Sequence, residues 1–129
     1  MEQDKSITPE TFYNRLKNHF PRVTNHNVWV EWRNETEDYV HSMILSALAE
    51  EVIIWAQEGD YQGVRSFLNE IENALNFGDS ILVSYIGTDF TVSILECKDS
   101  MIREKIKSMM GPRTAGAYKT NLGGYREPG

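Results

Sequence analysis

The sequence predicts an all-α protein, a compact bundle of about five to seven helices with an irregular Gly-rich C-terminal tail. Three observations carry this. Apolar residues recur at three- and four-residue spacing over most of the chain. Two Gly-Asp punctuations, Gly59-Asp60 and Gly78-Asp79, stand one helix length apart. The 129 residues, 40% of them hydrophobic, suit a single domain over 1–129, and at about this size roughly 68% of the unfolded chain's surface can be buried. The core is expected over about 8–118, leaving 119–129 as tail. Short helix connections also admit an α-solenoid-like layout, although the repeats are weak.

Thr8-Pro9-Glu10 reads as a helix start, with Thr as cap, Pro in the first turn and Glu against the positive helix end. Phe12, Leu16 and Phe20 give this helix one apolar stripe, and Pro21 stops it. Pro21 to Asn27 reads as a loop. Val28 to Trp32 has strand-like composition, but an isolated strand has nothing to pair with, so an extended or irregular segment inserting its aromatics into a helical core is expected. A long helix follows from about Thr36 to Glu58, with Val40, Ile44, Ala47, Leu48, Val52, Trp55 and Ala56 on its buried face.

Gly59 should stop that helix and Asp60 cap the next, whose stripe is Val64, Phe67, Leu68, Ile71, Ala74 and Leu75. Gly78 ends it, and Asp79 or Ser80 starts another. The stretch 81–95 is rich in β-branched residues, so strands compete there, but a helix interrupted near Gly87 agrees better with its surroundings. Asp99 or Ser100 caps a helix through Met110, with Ile102, Ile106 and Met109 inward, and Gly111-Pro112 terminates it. The remainder, Gly111 to Gly129, is expected to be partly irregular, with a short turn near 115–118.

Thirteen Lys+Arg against nineteen Asp+Glu give a net charge of −6, which argues against nucleic-acid binding. The charge is segregated. Residues 1–30 stand at +1, residues 31–96 at −11 and residues 97–129 at +4. Either the opposite charges solvate and compensate one another within the fold, or the acidic block captures a basic partner. No apolar run approaches a membrane span. The N-terminal Met-Glu-Gln-Asp-Lys lacks the pattern of a secretory signal, so a cytoplasmic location is expected. Cys97 is the one cysteine, which excludes an internal disulfide, and it reads as a small, half-buried residue.

Motifs of chemistry are sparse. His19, His26 and His41 have no ligand spacing with one another or with Cys97, so neither a metal nor another cofactor is expected. Gly111 to Lys119 departs from a phosphate-binding loop, because Ala117 and Tyr118 separate Gly116 from Lys119. Paired carboxylates such as Glu50-Glu51 diverge on a helix. Trp55 falls on an apolar stripe and reads as core, whereas Trp29 and Trp32 serve either as core cover or as partner anchors.

The segment Trp55 to Asp79 contains Phe67-Leu-Asn-Glu-Ile-Glu and the two Gly-Asp stops; Ile81 to Phe90 and the Met110-Gly-Pro112 helix end follow it. These features, over roughly residues 36–118, resemble an uncharacterised bacterial family of small helical proteins. That family is in turn similar to the immunity proteins of contact-dependent and polymorphic toxin systems. The resemblance implies a compact protein that binds and blocks a cognate toxin domain, often a nuclease, without catalysis. A nuclease cleft is expected to be basic. The expected contacts are therefore Glu35, Glu37, Asp38, Glu50, Glu51, Glu58, Glu70, Glu72 and Asp79, with Trp29 or Trp32 as apolar anchors. A helical adaptor for an endogenous protein is the alternative, and an enzyme built on scattered carboxylates and His41 a third.

Overall fold

The computed structural model describes residues 6–24, 26–31, 33 and 39–125, with Glu31 and residues 122–125 described by backbone alone. Helices account for the architecture. They are α1 (Pro9–His19), the single turns α2 (Pro21–Thr24) and α3 (Val28–Glu31), α4 (His41–Gln57) and α5 (Tyr61–Phe77). A continuous run follows, made of α6 (Ser80–Tyr85), a π-helical turn (Ile86–Phe90) and α7 (Thr91–Leu95). The chain then forms α8 (Ser100–Ser108) and α9 (Pro112–Tyr125). Helix α4 packs against α5, the π turn, α7 and α8. A solenoid contacts only sequence neighbours, so the arrangement is a bundle around α4.

Local chemistry places most helix ends. The Thr8 hydroxyl accepts the Thr11 N–H, Pro9 occupies the first turn, and Asp60, Asp79 and Asp99 cap α5, α6 and α8. Gly59 follows α4 at φ +83°, the left-handed conformation that favours glycine. The expected α5 stripe is buried in full. On α4, Ile44, Leu48, Val52, Trp55 and Ala56 are buried as expected, joined by Leu45 and Ala49. The β-branched run 81–95 is helical, and its interruption is the π turn.

Four expectations fail. The Pro21–Asn27 loop contains α2, and Val28 to Glu31 is a helical turn instead of an extended or irregular segment. Tertiary capture outweighs strand propensity here, because Trp29 donates its indole N–H to the Val23 carbonyl at 2.7 Å while its ring sits in the core. Helix α4 starts at His41, not Thr36, since Tyr39 pairs with Arg33 in an isolated antiparallel bridge and Val40 is extended. Pro112 opens a helix that runs to Tyr125, where a partly irregular segment with a short turn was expected, and Tyr118 is the last of its described buried side chains.

The core has two aromatic centres. Phe20, Trp55, Phe67 and Phe90 meet at ring separations of 5.3–6.1 Å. Tyr13 touches Trp29, Tyr39 and His41 at 5.2–5.8 Å, and Tyr85 covers the other side of His41 at 5.4 Å. Among the described residues the buried Trp55 indole N–H finds no hydrogen-bond partner, an exception to the pairing usual for such groups.

Candidate partner-binding surface

Of the six expected acidic contacts among the described residues, five make ion pairs or hydrogen bonds within the chain. Glu70 takes the Arg15 guanidinium at 3.1 Å. Glu58 and Asp60 share Arg22 at 2.8 and 3.6 Å, and Glu51 lies 3.6 Å from His26. Asp79 accepts the Leu82 N–H at 2.8 Å as a helix cap. The chain's own cations and helix ends thus compensate much of the acidic block.

Glu72 is the most committed of these groups. Its carboxylate accepts the backbone N–H of Arg113 at 3.0 Å and of Thr114 at 2.9 Å, together with the Thr114 hydroxyl at 2.8 Å. A side chain of α5 therefore caps α9 from outside. Partial burial pushes the carboxyl pKa up, but the three hydrogen bonds and the nearby Arg113 charge outweigh it and hold the pKa below its ordinary value. Gly111 makes room for this contact, as a Cβ there would fall 2.5 Å from the Glu72 carboxyl carbon.

Glu50 differs from these carboxylates. It is exposed on α4 and makes no ion pair among the described residues. At 100° per residue, Met43, Ala47, Glu50, Ile54 and Glu58 fall within one arc of the helix. Met43 is 40% exposed and Ile54 42%. Both large apolar side chains meet solvent beside Glu50, on a helix whose other sides are packed. Sequence reasoning did not single out Met43 or Ile54; the signal was their apolar character off the main stripe, where an amphipathic helix would carry polar residues.

Trp29 is 6% exposed and belongs to the core, so its ring is not presented to a partner. Lys17 covers one face of it at 4.9 Å. Trp32, Glu35, Glu37 and Asp38 lie outside the described residues. Trp55 and Tyr118 are buried, and Cys97 is half-buried.

The Tyr13 hydroxyl and His41 Nδ1 are 2.8 Å apart. Burial, then the neighbouring phenols of Tyr39 and Tyr85, push the Tyr13 pKa well above the ordinary tyrosine value. The phenol stays neutral near pH 7 and acts there as a hydrogen-bonding group that ties α1 to the start of α4. A shallow recess of about 290 Å³ is lined, among the described residues, by Ser6, Asn76, Phe77 and Gly78, none of them ionisable. Among the described residues no group of three or more His, Cys, Asp or Glu is placed to hold a metal, and no helix is long and apolar enough to cross a membrane. Comparison with protein-family models, curated proteins and solved structures finds no match to this chain.

Proposed function

We propose that this chain is a non-catalytic binding protein that neutralises a cognate bacterial toxin domain, as an immunity protein does, and that the exposed face of α4 makes the contact. The observation supporting it is the placement of Met43 and Ile54 in solvent on either side of Glu50. Apolar side chains at the centre of a contact supply the desolvation energy of binding, while an unneutralised carboxylate steers a basic partner and rejects an acidic one. A nuclease cleft has the matching sign, since it holds a polyanion. Glu70 and Glu72 leave the set of contacts, because their charges are used within the fold.

The test is capture of partners from the native host with the tagged chain, elution with rising salt, and mass spectrometry. Recovery of a basic toxin domain at near-equal stoichiometry, lost with Glu50→Lys and Ile54→Asp, is the expected result. Recovery of a housekeeping protein alone transfers the reading to an adaptor. Undiminished capture by both variants removes α4 as the contact face.

A further inference from the structure

A second surface of opposite sign lies along one side of α5. Tyr61, Arg65, Leu68 and Glu72 follow at spacings of four, three and four and so share one strip of the helix. The two ends of this strip are located by contacts. At one end the Lys105 ammonium of α8 stands 4.7 Å over the Tyr61 ring. At the other the Glu72 carboxylate holds the start of α9 at Arg113 and Thr114. Leu68 is buried between them, and Arg65 is exposed at its border. The strip spans about 16 Å, from eleven residues at 1.5 Å rise.

Arg65, Lys105 and Arg113 therefore edge one surface formed by α5, α8 and α9. All three are exposed, and none makes an ion pair among the described residues. The Arg113 guanidinium makes no ion pair with Glu72, whose carboxylate takes two backbone N–H groups and a hydroxyl, although the Arg113 charge is near enough to help hold that carboxyl's pKa down. Arg15 and Arg22, by contrast, have carboxylate partners. Within residues 97–121, Lys98, Arg103, Lys105, Lys107, Arg113 and Lys119 stand against only Asp99 and Glu104, so this segment carries a positive excess in a chain of net −6.

We infer that the Arg65–Lys105–Arg113 strip, with the half-exposed Tyr61 ring, is a docking surface for a short acidic segment of a partner protein. The spacing favours a peptide carboxylate ligand over nucleic acid. Three cations over about 16 Å match a few carboxylates on an extended chain, whereas duplex DNA presents a charge every 1.7 Å or so and would meet the repulsion of the acidic remainder. This surface is separate from the α4 face, and either can fail without the other.

The experiment is fluorescence anisotropy of a labelled Glu-rich peptide with the intact chain, and of a labelled single-stranded oligonucleotide of equal charge. The peptide is expected to bind at low salt and to be released near 1 M salt, where screening shortens to about 3 Å. Arg65→Glu with Lys105→Glu should weaken it by roughly tenfold or more, given the modest worth of each exposed pair and the change from attraction to repulsion. Arg113→Gln should weaken it less. Lys98→Glu, before α8, and Ile54→Asp on α4 should leave it unchanged, with circular dichroism verifying each fold. Absence of peptide binding, an equal loss with Lys98→Glu, or tighter binding of the oligonucleotide overturns the inference.

Discussion

Helices α5 and α9 lie against each other and are held in opposite ways. Helix α5 buries Val64, Phe67, Leu68, Ile71, Ala74 and Leu75 along one stripe and needs only Asp60 at its N-terminus. Helix α9 contains Gly116, Gly123 and Gly124, poor helix formers. Its described buried side chains are Thr114 and Tyr118. Polar latches do the rest. Glu72 caps its first turn, and Asn121 donates to the Gly87 carbonyl at 2.6 Å in the π turn, where Thr91 also donates to that oxygen at 2.7 Å. Thr91 and Thr114, buried polar side chains among the described residues, both belong to these latches. A helix held by apolar area shares the global stability of the core, whereas one held by a few hydrogen bonds can open alone.

The largest effect should come from Phe67→Ala, which empties the contact with Phe20, Trp55 and Phe90. A loss of about 3–5 kcal/mol in urea denaturation is expected, a large share of a typical domain's stability. An α5 that tolerated this change would not be the apolar half of the comparison. Glu72→Ala should cost less, about 1 kcal/mol on the scale of a lost helix cap. Hydrogen exchange should show the difference in kind: α9 amides lose protection while α5 amides retain theirs.

The same carboxyl predicts a pH dependence. Its pKa is lower in the folded protein than its ordinary value. Its stabilisation is therefore complete above the unfolded value, near 4.3, and is lost as pH falls through the folded value. Exchange in α9 should accelerate before that in α5 as the solution is acidified below about pH 4, and Glu72→Gln should abolish the difference in onset. Simultaneous acceleration in both helices would unite them in one cooperative unit. The smallest effect should be that of Asn121→Ala, about 1 kcal/mol or less, because Thr91 still serves the Gly87 carbonyl. Its exchange signature should be confined to α9 and the π turn.

The contrast also explains which elements were legible in advance. The stripe of α5 and the caps at Asp60, Asp79 and Asp99 depend on residues within one or two turns of one another, so periodicity and spacing reveal them. Helix α9 was invisible because its cap lies forty-one residues upstream, on another helix. The single turn at Val28–Glu31 depends on where the Trp29 ring is received. For the candidate surface, the acidic excess was plain, but which carboxylates remain unpaired was not. Glu70 and Glu72 look no different from Glu50 until Arg15 and the start of α9 are placed beside them.

The sequence by itself therefore determined the all-α class, the boundaries set by Gly-Asp pairs and the buried stripes, since these rest on short-range geometry and apolar periodicity. Only the tertiary structure decided that α4 is central, that α9 is a helix, that Glu70 and Glu72 are paired within the chain, and that Met43, Glu50 and Ile54 share an open face. Each of these depends on contacts between residues distant in the chain, and local sequence carries no record of which distant partner folding brings near.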